Sequence, residues 1–447
     1  MPNTSFQKSL FVFALMFLSQ IESRANPADS TRFLLADTTL ASFHFQLTTI
    51  TQYHGDFSAP YSGKNSLSPN AEDATSVTST IFAGVRLWKG ASFYLNPEMS
   101  GGNGLSGVTG IAGFTNGETP RIGDPSPTIT IARGYIQQTL ALSNAGEEHI
   151  SDAQNQLAMD LPKDRLTVTI GKYALSDLFD NNTYSHDPRG QFENWALMEN
   201  GAWDYPANTH GYTFALTLEA KIGDWSARAS TAAEPTAANG PTLEYRDGAH
   251  GETVEIEHRQ SVGDHNGVIR LLLFNNTADM GNYDLALSNP KYDTNVVNTR
   301  QYGRNKYGFG LNIEQEIASN VRGFMRLGWS DGRNETWAFT EIDRSASIGL
   351  SFNGAIWHQA NDVAGIAGVM NGLSDDHRRY LSAGGYGFII GDGALNYAPE
   401  TIIEAYYLLA VTDAFAITAD YQFVANPAYN ADRGPVNVVG VRAHIAF

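Results

Sequence analysis

The segment from Asp177 to Tyr212, "DLFDNNTYSHDPRGQFENWALMENGAWDYPANTHGY", concentrates side chains that could do chemistry. It holds Asp180, Asp187, Glu193, Glu199 and Asp204 beside Arg189 and His186, with the rings of Trp195, Trp203 and Tyr205. Carboxylates accept from hydroxyls, a guanidinium donates to them, and an indole offers a flat apolar face. Binding of a polar, uncharged solute suits that set better than bond-breaking chemistry. Loops of this length in compact proteins are functional or disordered, and the aromatic content argues against disorder. No G-x-S-x-G, H-E-x-x-H or Walker pattern occurs elsewhere. Asp376, His377 and Ser382 in "DHRRYLSAGG" are close only along the chain, which is weak ground for a catalytic dyad. "GDGALNY" and "NPAYNADRGP" lack the full calcium-loop spacing. No enzymatic activity, cofactor or metal is expected.

The elements that must position this loop are strands. In the last eleven residues, "NVVGVRAHIAF", Val439, Val441, Ala443, Ile445 and Phe447 share one face, and Gly440, Arg442 and His444 the other. About sixteen two-faced segments of this kind recur, from "SFHFQLTTITQYH" onward, each long enough for a tilted membrane strand. Lys89-Gly90, Gly223-Asp224, Ser319-Asn320 and Thr412-Asp413 are tight links, and long ones such as Ala174–His210 alternate with them. Short turns on one rim and long loops on the other characterise outer-membrane barrels. The link Ser143–Asp164 breaks this parity, and a small helix is expected there. The expected fold is all-β: a transmembrane antiparallel β-barrel of about 16 strands, its long extracellular loops including one or more folded into the lumen. Residues 1–25, with Lys8, the apolar run "SLFVFALMFL" and Ser23-Arg24-Ala25, read as a signal peptide. Residues 26–41 are then a short periplasmic segment, and 42–447 the barrel.

Composition agrees. The chain has 47 acidic against 29 basic residues, a formal charge of −18, which excludes a typical nucleic-acid binder. It has no cysteine and 43 glycines. Mean hydropathy of −0.27 resembles a soluble protein, but only alternate residues of a barrel strand meet lipid. A water-soluble β-sandwich also alternates; the signal peptide, even strand number, loop asymmetry and terminal phenylalanine favour the barrel.

The inward faces carry Arg86, Tyr94, Glu98, Arg133, Tyr135, Arg165, Arg228, Glu255, Glu257, Arg259, Arg322 and Arg326. Arginines opposed by carboxylates set up a transverse field, and rings of charge govern ion selectivity. Hydroxyls stripped of water in a narrow channel need such donors and acceptors.

The blocks "QLTTITQYHGDFSAPYSGKNSL", "FYLNPEMSGGNGLSGVTGIAGFTNGE", "FDNNTYSHDPRGQFENWALMENGAWDYPANTHGY", "HRRYLSAGGYGFIIGDG" and "YQFVANPAYNADRGPVNVVGVRAHIAF" resemble the carbohydrate-selective porins of OprB type. The resemblance runs over nearly all of the chain beyond the signal peptide. It implies a sixteen-stranded barrel in the outer membrane of a Gram-negative cell. Sugars such as glucose and short oligosaccharides would diffuse passively through its constricted channel into the periplasm. Glu98, Asp187, Arg189, Glu193, Trp195, Trp203 and Asp204 match its characteristic stretches, and with Tyr94, Arg86 and Arg133 they are the expected constriction residues. Implied partners are the transported carbohydrates, outer-membrane lipid and lipopolysaccharide, and the assembly machinery, which would read Phe447. Monomer and trimer both stay open, and a general or anion-preferring porin is the alternative. The sequence departs from the family after Trp357, where His358-Gln359 replaces a common glycine-arginine pair, in a link expected on the periplasmic side.

Overall fold

A computed structural model describes residues 40–119, 125–244 and 248–447. The proposed signal peptide lies outside the described residues. β1 (Ala41–His54), β2 (Glu72–Trp88), β3 (Ala91–Gly102) and β4 (Thr128–Ala141) begin the wall. The short β5 (Glu147–Ile150) and β6 (Met159–Pro162) pair only with each other. The wall resumes with β7 (Arg165–Tyr173), β8 (Thr213–Ile222), β9 (Trp225–Ala233), β10 (His250–Val262) and β11 (His265–Met280). It continues through β12 (Gln301–Ala318), β13 (Val321–Ser330), β14 (Arg344–Asn353) and β15 (Val363–Gly372). β16 (Glu400–Thr412), β17 (Phe415–Ala425) and β18 (Val436–Ala446) complete it. Sixteen strands, all but β5 and β6, form one closed barrel.

Closure follows from the pattern in the last strand. β18 pairs with β1 antiparallel, Leu47 opposite Ile445 and Tyr53 opposite Val439. Backbone bonds between Phe45 and Phe447 (2.9 and 3.1 Å) carry the ladder to the final residue, and the two rings lie 5.4 Å apart. A closed ladder leaves no unpaired donors toward lipid. Val439 and Val441 are exposed on the outside, whereas Val438 and Arg442 are wholly buried within. The same alternation leaves Ile81, Leu216, Leu271, Phe309, Ile348 and Ile403 exposed as an apolar band. Trp88, Trp225 and Trp357 mark the short-turn rim and Tyr53, Tyr302 and Tyr421 the other, the aromatic girdles of a membrane barrel. Nothing of this kind suits a sandwich with a solvated face.

One expectation needs correction, and one set-aside residue finds its role. The link between β4 and β7 is a hairpin, not a helix. Met159 and Leu161 alternate at period two, and Asn155 takes a left-handed φ of 58° in the tight turn that folds the segment back. His377 is a packing residue: its Nδ1 lies 3.0 Å from Asp343 Oδ2 and its ring stacks on Tyr283 at 4.3 Å. The link at Trp357 does lie on the short-turn rim, where Trp357 Nε1 donates to Tyr407 OH (3.0 Å).

Leu271 sits near the middle of β11 and faces out. Leu271→Arg is expected to destabilise the barrel by about 2–4 kcal/mol, measured by denaturant unfolding in a lipid bilayer.

Candidate functional site

The long loop between β7 and β8, residues 174–212, folds into the barrel. An irregular backbone there must find partners for its N–H and C=O groups, and the wall supplies them. Glu404 on β16 accepts from the N–H groups of Glu193 (2.5 Å) and Asn194 (3.0 Å). Glu255 on β10 accepts from Asp180 N–H (2.8 Å), and Glu314 on β12 from Thr183 N–H (2.6 Å). Arginines serve the carbonyls: Arg442 donates to Pro188 (2.6 Å) and Gln191 (2.8 Å), Arg326 to Ser185 (2.6 Å) and Leu197 (2.8 Å). Gly310 and Gly328 make room, since a Cβ on either would come within 2.1 Å of the Asn200 amide. The loop between β3 and β4 joins the fill, with Ala112 and Gly113 N–H groups on Glu400 (2.9 and 2.8 Å). Phe114 and Phe339 sandwich Trp195 at 5.2 and 5.3 Å, so the inserted loops share an aromatic core.

These loops occupy the side of the lumen against β10–β18. The open space is a cavity of about 630 Å³ lying against β1–β4, β7 and β8. Glu98, Glu118, Arg133, Asp177, Arg189 and Tyr212 all face it. Arg189 bridges two carboxylates, with Nε 2.6 Å from Glu118 and Nη2 3.2 Å from Glu98. Glu98 also accepts from Thr80 (2.7 Å) and from the Tyr212 hydroxyl (2.8 Å). Arg133 is bidentate on Asp177 (2.7 and 2.5 Å) and lies 5.2 Å over the Tyr212 ring. Burial works against the Arg189 charge, but Glu118 and Glu98 outweigh it and hold the guanidinium above its ordinary value. The site is therefore a fixed ladder of opposed charges around one tyrosine. Beneath it Tyr94 and Tyr135 line the cavity with ring centroids 5.1 Å apart.

Of the residues expected from sequence, Tyr94, Glu98, Arg133, Asp187, Arg189 and Trp195 face this space. Arg86 faces inward at the short-turn end of β2, outside the cavity lining. Glu193, Trp203 and Asp204 are set apart from the cavity and fully buried. Glu193 accepts from Gln52 Nε2 (3.1 Å) and lies 3.5 Å from Arg442 Nη1, and burial, with Asp420 beside it, pushes its carboxyl up. Trp203 packs on Phe179 and Tyr205. Asp204 accepts from the N–H groups of Trp337 (2.8 Å), Ala338 (3.1 Å) and Phe339 (2.7 Å), tying the loop to residues 337–339. Glu118, Asp177 and Tyr212 join the site from outside the residues expected from sequence. Asp177 and Tyr212 sit at the two ends of the long segment, where it leaves and rejoins the wall, and that placement was the available signal.

Trp203→Ala is expected to cost about 3–5 kcal/mol of stability through the cavity it leaves, seen in denaturant unfolding. Asp204→Ala strands three buried donors and is expected to cost about 2–4 kcal/mol. Glu98→Ala, facing the cavity, is expected to alter solute passage more than unfolding.

Comparison with known proteins agrees with this geometry. The family model described as "Carbohydrate-selective porin, OprB family" matches residues 82–447. The high-pH structure of Pseudomonas putida OprB aligns with a TM-score of 0.67 at 15% identity, over 91% of this chain and 94% of that one. Its low-pH structure gives 0.51 at 12% identity, over 91% and 93%. The outer membrane channel DcaP of Acinetobacter baumannii gives 0.50 at 9%, over 91% and 97%. These structures are alike in fold, and no curated protein matches the chain in sequence. With a charged, tyrosine-centred cluster facing a cavity inside a closed barrel and a family match over most of its length, the chain belongs to the carbohydrate-selective porin OprB family, sugar-selective channels of the outer membrane.

Proposed function

We propose that neutral monosaccharides such as glucose pass down this eccentric channel by facilitated diffusion, and that Glu98, Arg133, Arg189, Glu118, Asp177 and Tyr212 are the groups they meet at its narrowing. The observation that carries the reading is the double engagement of Arg189 by Glu98 and Glu118 beside Tyr212. Fixed donors alternate with fixed acceptors there, and a sugar hydroxyl both donates and accepts. A pyranose can exchange water for these groups hydroxyl by hydroxyl, with its flat face against a tyrosine ring. The carboxylates in the cavity lining, Glu98, Glu118, Asp177, Asp187, Glu199 and Glu219, outnumber the guanidiniums of Arg133, Arg165 and Arg189. That excess opposes anions, so the anion-preferring alternative is disfavoured.

Facilitation requires weak binding. With an on-rate of about 10⁸ M⁻¹s⁻¹, a millimolar site empties at roughly 10⁵ s⁻¹ and a micromolar one at only about 10² s⁻¹. Useful sites therefore stay near about −4 kcal/mol. Existing ion pairs help to keep binding weak, because the sugar competes with partners already made.

The test is swelling of liposomes holding the purified protein, comparing glucose with an uncharged non-sugar solute of the same size. Wild-type protein is expected to admit glucose faster. Arg189→Ala and Glu98→Ala are expected to bring the ratio of the two rates toward one even where the wider pore raises both. An equal ratio in the wild type would leave a size filter without sugar recognition.

A further inference from the structure

The hairpin between β4 and β7 is anchored across the short-turn mouth rather than hanging from it. At one flank Glu148 pairs with Arg165 (2.5 Å) and with Lys221 (2.6 Å) on β8. At the other, Asp152 Oδ2 lies 3.3 Å from His44 Nε2 on β1, and Gln154 donates to Gln46 Oε1 (3.1 Å). Between them Leu157 N–H donates to the Tyr94 hydroxyl on β3 (3.3 Å). One segment thus reaches both sides of the six-strand wall that borders the cavity. Its residues Ile150, Gln154, Asn155, Gln156, Leu157 and Met159 line the same cavity that Glu98 and Arg189 face. The cavity is therefore a chamber with a loop constriction at one end and this hairpin at the other.

The tip has a built polar group. Asn155 is held by paired backbone bonds between Ala153 and Gln156 (3.0 Å each way), and its Oδ1 is buried without a hydrogen-bond partner. Tyr94 and Tyr135 line the same chamber. The Asn155 oxygen is covered at rest, and a small turn of the side chain would offer it as an acceptor to a sugar hydroxyl in the chamber that the Tyr94 and Tyr135 rings also line.

We propose that the Ser143–Asp164 segment is a second filter in series with the loop constriction, and that Asn155, Tyr94 and Tyr135 form an exit subsite for a neutral sugar leaving the chamber toward the periplasm. The sugar identity of the subsite rests on the functional reading above; the filter does not. Because the segment is tied at both flanks, a solute passes beside the tip without displacing it. Chain length is then sorted at the exit, where a second sugar ring must enter while the first is still in contact.

Two variants test this in liposome swelling with glucose, a disaccharide and a trisaccharide. In the first, Glu147–Pro162 is replaced by an Asn-Gly turn, the ends being adjacent already through the Lys163 N–H to Gly146 bond (3.0 Å). The disaccharide and trisaccharide rates relative to glucose are expected to rise at least about threefold. In the second, Gln156→Trp, bulk added at the tip is expected to lower glucose entry by about threefold or more with the barrel folded. Unchanged size dependence in a folded hairpin-shortened barrel overturns the filter. If that variant does not assemble, unchanged glucose entry in Gln156→Trp overturns it instead. A size cutoff that shifts in a protein with no preference for glucose over the size-matched solute supports the filter and removes the sugar subsite.

Discussion

An irregular polypeptide cannot be laid inside a barrel unless its backbone donors and acceptors are met, and here wall carboxylates and arginines meet them. Glu255, Glu314, Glu400 and Glu404 each take one or more loop N–H groups, and Arg326 and Arg442 take carbonyls. Each is a charge-assisted bond in a place where an unmet group is costly. The position of the 174–212 loop, and so the shape of the channel, depends on these contacts. They also place several of the inward carboxylates of this acidic chain against loop backbone and away from the cavity lining.

The barrel was legible from the sequence because its cause is local. Alternation in "NVVGVRAHIAF" and its counterparts fixes which side faces lipid, and all sixteen segments found by period became wall strands. The site was legible only in part. Glu98 lies on a strand, so parity alone aims it inward, whereas Arg133 faces in only because a bulge after Ile131 switches the faces of β4, on which Ile129 and Ile131 are exposed. Glu255 and Glu257 also point inward as parity requires, yet they pair with Arg228 (2.8 and 3.1 Å) under the loop instead of lining the channel. For Trp203 and Asp204, composition indicated function where the cause was packing. Whether an indole faces a pore or a neighbouring loop is decided by contacts hundreds of residues apart, which one sequence does not display.

The hairpin between β4 and β7 shows a similar limit. Its excess length was visible as a break in parity, but its purpose was not, because its partners His44, Gln46, Tyr94 and Lys221 belong to three separate strands, β1, β3 and β8. Alternation over four residues is too short a signal to choose strand over helix without them.

The off-centre path divides the molecule by azimuth. Among the described residues, the cavity is lined by β1–β4, β7 and β8, while much of β10–β18 faces the inserted loops. Substrate range can therefore drift through substitutions on six strands and two inserted segments while the other sector, which holds the insert in register, stays under selection for stability alone. The casing and the aperture become separable traits, so pore width is no longer tied to strand number.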